Sequence, residues 1–174
     1  GQLVHLHATA SDLNGDALAY EWTFDDSTFS ITNQPWVSKS WSSSGEHVAR
    51  CVVSDMKGGA ASANTLVPIG SPVGFRISGV VLDANDDPIP NVPVDTGLTN
   101  EGAVWCYTDS DGLFILPGLT GDVTLEATLY GYTFTNLTFI NPIRLTSNVP
   151  NASFLATRSV SVGLTATTNS VAER

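Results

Sequence analysis

The chain has 174 residues, 17 acidic against 7 basic, for a net charge of −10, with 42% hydrophobic and 14% charged side chains. That balance supports packed cores and excludes a disordered chain. The negative charge opposes phosphate backbones and anionic lipid, so nucleic acid is excluded as a partner, and no apolar run reaches the roughly 20 residues that insert across a bilayer.

Apolar positions recur with period two almost throughout, which predicts an all-β protein. GQLVHLHATA reads as a strand with Val4, Leu6 and Ala8 inward and His5 and His7 outward. SDLNGD is an acidic turn, and ALAYEWTF follows as a strand with Leu18, Tyr20, Trp22 and Phe24 on one face. Residues 25–41 are polar and irregular, with short strand-like pieces at FSIT and VSKSW. EHVARCVVSD places His47, Ala49, Cys51 and Val53 on one side, MKGGA turns the chain, and SANTLVPI is the next strand. GSPVG, residues 70–74, is a short stiff linker and a domain boundary. FRISGVVLD, NVPVDTG, AVWCYTD, GLFILPG, DVTLEATLYGYTF and PNASFLAT are strands of a second unit. RSVSVGLTATTNSVAER alternates once more, with Val160, Val162, Leu164 and Ala166 on one side. The expected organisation is a first sandwich over 1–70, a second over 71–157, and an extra C-terminal strand, or the start of a third domain, over 158–174. Cys51 and Cys106 fall in different units, which argues against a mutual disulfide, and Cys51 reads as a small core hydrophobe.

DLNGDALAYEWTF and GEHVARCVVSDMKGG resemble the PKD domain, an immunoglobulin-like sandwich. Asp12, Asn14, Gly15, Asp16, Leu18, Tyr20, Trp22, Phe24, Gly45, Asp55 and Gly58 match its pattern, and Trp41 matches a position that caps the core. Thr23, Asp25 and Ser27 stand where the family often has Asp, Gly and Gly, and His47 replaces a Tyr. The family's leading strand is missing, since the chain starts at what would be strand two. ISGVVLDANDDPIPNVPV, YTDSDGLFILPGL and LYGYTF resemble a carboxypeptidase-regulatory-like, transthyretin-type sandwich. The tail is similar to the first strand of a Calx-beta-like domain. These resemblances imply two tandem immunoglobulin-like and transthyretin-like β-sandwiches of a secreted or surface protein, acting as non-catalytic modules.

The residues themselves point the same way. The three histidines form no zinc-hydrolase helix, no serine sits in a G-x-S-x-G elbow, and Asp25 and Asp26, as strand neighbours, face opposite ways. His5 and His7 point to one side of a strand but lack a third metal ligand. Catalysis is therefore not expected.

Two kinds of site remain. Asp12, Asn14 and Asp16 lie in the loop before one strand of the first sandwich and Asp55 in the loop after another. In this fold those loops emerge at the same end. Calcium takes about six to eight hard oxygens at about 2.3–2.6 Å, and these side chains with a few carbonyls could supply them. The alternative is an Asx-type turn, in which the side chains bond their own backbone and Gly15 takes a positive φ. An EF-hand loop is excluded, because Thr23 stands where its twelfth-position Glu belongs. TDSDG, with Asp109 and Asp111, reads as a plain hairpin turn. Trp105 and Tyr107 alternate with Val104, Cys106 and Thr108, so if the latter face the core the former make an exposed aromatic pair suited to sugar rings or a partner; a neighbouring domain covering them is the other reading. Trp36 is a further surface aromatic.

The expected function is a non-catalytic extracellular spacer, adhesion or substrate-presenting module, with protein or polysaccharide surfaces, neighbouring domains or identical subunits as partners. Two other roles fit the same residues: the subunit of a filament assembled by exchange of the C-terminal strand, and the accessory region of a secreted peptidase or glycosidase.

Overall fold

The computed structural model describes residues 1–30, 32–97 and 103–159. The described residues are all-β and contain no helix; none is therefore long and apolar enough to cross a membrane. The tail from residue 160 onward, on which the extra strand and its exchange rest, lies outside the described residues.

The first sandwich is built from β1 (Leu3–His7), β2 (Ala19–Phe24), β3 (Phe29–Ser30), β4 (Trp36–Ser40), β5 (Gly45–Ser54) and β6 (Ala60–Ile69). β1 pairs with β4, and the second sheet runs β3-β2-β5-β6. The inward alternation on β2 and β5 meets between the sheets, where Trp22, Phe24, Trp41, Ala49, Cys51, Val67 and Ile69 form the core. Trp22 also donates its indole N–H to the Gln34 carbonyl at 3.1 Å, so the buried ring keeps a partner.

The second sandwich comprises β7 (Phe75–Leu82), β8 (Pro93–Asp95), β9 (Trp105–Tyr107), β10 (Leu113–Leu119), β11 (Asp122–Val123), β12 (Glu126–Ala127), β13 (Tyr132–Asn136), β14 (Ile143–Arg144) and β15 (Val149–Arg158). One sheet runs β10-β7-β15-β13, with β15 parallel to β7; the others are β12-β8-β9 and β11-β14. Ile77, Val81, Val92, Val94, Phe114, Leu116, Leu125 and Phe154 are buried between them. Gly79 is required where β15 bulges against β7, because a Cβ there would lie 1.5 Å from the Ala152 carbonyl oxygen.

The first core ends at Ile69 and the second begins with Phe75, with Gly70–Gly74 between them. DVTLEATLYGYTF is not one continuous strand. It divides into β11, β12 and the start of β13, each in a different sheet. The Asn141 side chain causes part of this: it accepts from the Leu125 N–H at 3.0 Å and donates to the Leu125 carbonyl at 2.8 Å, taking the place of a strand partner. A turn from Leu129 to Tyr132, with Gly131 at φ 83°, then redirects the chain into β13.

Candidate functional site at the joint and its aromatic face

Four acidic turns share one geometry. Asp12 Oδ1 accepts from the N–H groups of Asn14 at 2.8 Å and Asp16 at 2.9 Å. Asp55 Oδ1 accepts from Lys57 at 2.7 Å and Gly59 at 2.9 Å. Asp83 does the same with Asn85 and Asp87, and Asp109 with Asp111 and Leu113. In each, one carboxylate oxygen closes the turn by holding the N–H groups two and four residues on. At Asp83 those two N–H groups hold the carboxyl below its ordinary value. The Asp12 and Asp55 turns do meet at one end of the first sandwich, joined by the Lys57 ammonium on Asp16 Oδ1 at 2.5 Å. Gly15 takes φ 75° within the first of them. Among the described residues no three His, Cys, Asp or Glu side chains are grouped to hold a metal.

Two of the positions that depart from the PKD pattern, Asp25 and His47, are linked. Asp25 accepts from the Trp41 indole N–H at 2.9 Å and pairs with His47 Nδ1 at 2.9 Å. The His47 ring stacks on Trp41 at 5.1 Å. The buried His47 and the Asp25 that replaces a glycine thus satisfy each other and the core tryptophan. Ser27, at the other glycine position, takes φ 61°. His5 and His7 are exposed on β1, and His5 shares a 2.8 Å hydrogen bond with Ser38.

The two sandwiches meet along a polar joint. Arg50, on the outward face of β5, is only 8% exposed. Its Nη1 donates to Asn64 Oδ1 and to the carbonyls of Tyr107 and Thr108, and its Nη2 to Ser62 Oγ and, at 2.7 Å, to Asn91 Oδ1. Burial pulls the guanidinium pKa down, and the nearby Asp109 carboxylate opposes that shift. The edge of β6 is closed by the TDSDG turn: Ser62 and Ser110 exchange bonds at 2.8 and 3.1 Å, and the Asn64 N–H donates to Asp109 Oδ2 at 3.1 Å. In return the Asn64 amide donates to the carbonyls of Tyr107 and Leu113. Arg76 on β7 adds an ion pair to Glu46 on β5 at 2.6 Å. Each sandwich thereby covers a strand edge of the other, one way of protecting edges from stray pairing. Asp109, read as a hairpin residue, is 3% exposed and belongs to this joint.

Beside the joint, Val104, Cys106 and Thr108 face the second core, and Trp105 and Tyr107 face outward at 54% and 41% exposure. Their rings meet edge to face at 5.4 Å, and the Arg50 guanidinium lies 5.9 Å from the Tyr107 ring centre. The neighbouring sandwich therefore touches Tyr107 but does not cover the pair. A crevice of about 640 Å³ opens here, walled by Phe29, Val48, Val73, Trp105, Tyr107 and Pro117. Trp36 is exposed on β4, opposite His7. The cysteines are free; burial pushes the Cys51 thiol to about 11 and the Cys106 thiol to about 12, so both stay protonated near neutrality.

Residues 1–80 match the family model of the PKD domain, an extracellular β-sandwich module. The match covers the first sandwich and continues through most of β7. No curated protein matches the chain. The solved structure of the Bacillus anthracis TIE protein is similar over 88% of this chain at 11% identity, with a TM-score of 0.35; the chain spans 34% of that structure's length.

Proposed function

We propose that the chain is a rigid, non-catalytic spacer and presentation module of an extracellular protein, in which a PKD-like sandwich and a carboxypeptidase-regulatory-like sandwich hold one fixed orientation. The observation that carries this reading is the reciprocal covering of strand edges around Arg50. A flexible tether would not need a buried guanidinium with five acceptors. A fixed angle lets such a module hold a neighbouring domain, or the aromatic face beside the joint, at a set distance from its anchor. Calorimetry tests the reading: the two sandwiches are expected to unfold in a single transition whose calorimetric and van't Hoff enthalpies agree. Two separate transitions in the unmodified chain would contradict it.

For the acidic loops we propose a structural role. What supports it is the recurrence of the same turn at Asp12, Asp55, Asp83 and Asp109, together with the Lys57 ammonium seated between the two loops that could otherwise share a cation. Calcium binding to the folded chain alone would stabilise it by about 2.7 kcal/mol at a hundred times its dissociation constant. Melting curves in millimolar calcium and in chelator are expected to coincide. A rise in melting temperature with calcium that Asp16→Ala abolishes would instead establish the Asp12, Asn14, Asp16 and Asp55 site.

A further inference from the structure

We propose that the outer face of the β12-β8-β9 sheet, with the outer edge of β9 at Trp105, docks an extended Lys- or Arg-bearing segment of a partner protein. The proposal rests on the reading of the chain as a presentation module and names what that face receives.

Strand register sets the chemistry of this face. Glu126 is directly opposite Asp95, and Asp95 is directly opposite Trp105. Residues in register share a face of the sheet, so two carboxylates and an exposed indole lie in one row across three strands. In the next row Thr128 bonds the Pro93 carbonyl and Pro93 is opposite Tyr107. The two carboxylates converge at Gly97: Asp95 Oδ1 accepts the Gly97 N–H at 2.7 Å, and Glu126 Oε1 lies 3.3 Å from where a Gly97 Cβ would be. Like charges directly opposite each other on neighbouring strands destabilise a sheet. The ion pairs among the described residues engage Asp16, Asp25, Asp26 and Glu46, and none reaches Asp95 or Glu126. Lys39, Lys57, Arg50, Arg76 and Arg158 are committed elsewhere, and Arg144 lies on β14 in register with Asp122. A cation supplied from outside would relieve the carboxylate pair and lie beside the face of Trp105, which attracts cations.

The backbone of β9 indicates that the cation arrives on a peptide. Thr96 donates to the Val104 carbonyl and Thr108 to the Val92 carbonyl. In an antiparallel pair the bonded positions alternate, so Cys106 bonds Val94 while the N–H and C=O of Trp105 and Tyr107 point away from β8. The Tyr107 carbonyl takes Arg50 and Asn64. The Trp105 N–H and C=O have no partner among the described residues, and they lie at the crevice where an extended segment can pair with them. A sugar could stack on the ring and donate hydroxyls to the carboxylates, but it would not pair with the strand edge.

Calorimetric titration of the full chain with the peptide (Arg-Val)4 tests the proposal, with (Glu-Val)4 and cellohexaose as comparisons. Binding of (Arg-Val)4 is expected at low salt and weakens as salt rises. Asp95→Asn combined with Glu126→Gln should weaken it at least tenfold, and Trp105→Ala at least fivefold. Asp86→Asn combined with Asp122→Asn, which removes the same charge elsewhere, should change it less than twofold. None of these variants should lower the melting temperature, and Asp95→Asn with Glu126→Gln should raise it slightly, so a failure here leaves the rigid-module reading standing. No binding of (Arg-Val)4 by the unmodified chain would overturn the proposal. So would equal losses in the two charge-neutralised pairs, or cellohexaose binding that depends on Trp105 alone.

Discussion

Arg50→Met is expected to lower the stability of the chain by about 3 kcal/mol and to split its unfolding into two calorimetric transitions. A hydrogen bond from a charged donor contributes about 1.5–3 kcal/mol net, and each buried acceptor left without a donor costs about 1–3 kcal/mol. Arg50 serves five acceptors, three of them on the second sandwich. Relief of the guanidinium's desolvation, and water entering at the crevice, offset part of the loss. Arg50→Lys should recover little of it, because a single ammonium cannot reach acceptors arranged around a planar fork. A variant that melts like the unmodified chain, in one transition, would show that the joint holds without Arg50.

Phe154→Ala should be the most damaging single truncation in the second sandwich, costing about 3–5 kcal/mol. The ring is 1% exposed on β15, the strand that joins β7 to β13. It packs against Phe139 at 5.1 Å, Phe114 at 6.1 Å and Phe134 at 6.5 Å, so its loss opens a cavity bounded by three other rings. Urea titration read at both sandwiches measures the effect. A loss below about 1 kcal/mol would mean that the three remaining rings repack around the gap.

Particular residues show where the sequence was informative. On β5 the alternation placed His47, Ala49 and Cys51 inward, and all three are buried in the first sandwich. The same alternation cannot separate an outward residue facing water from one facing a neighbour, so nothing in it singles out Arg50, Ser62 and Asn64. One signal was present: Arg50 stands between Val48 and Val52, an apolar pair on the nominally wet side of the strand, and Val48 is 7% exposed. Asp25 and His47 were visible as separate departures from the PKD pattern. Their pairing depends on spatial proximity across 22 residues of chain, which period and spacing do not report. The breaks between β11, β12 and β13 escaped for a related reason, since the Asn141 side chain that replaces a strand partner for Leu125 comes from 16 residues away. Trp105 and Tyr107 were legible because a strand's two faces follow directly from period two; the carboxylates beside them required the register of three strands.

A rigid module requires that the two sandwiches form one body. Residual dipolar couplings of backbone amides in a weakly aligned sample measure this directly, because each rigid unit reports its own alignment. Amides of β2, β5 and β6 and amides of β7, β10 and β15 are expected to fit a single alignment tensor, and Arg50→Met is expected to separate them into two. Two tensors of different magnitude in the unmodified chain would contradict it.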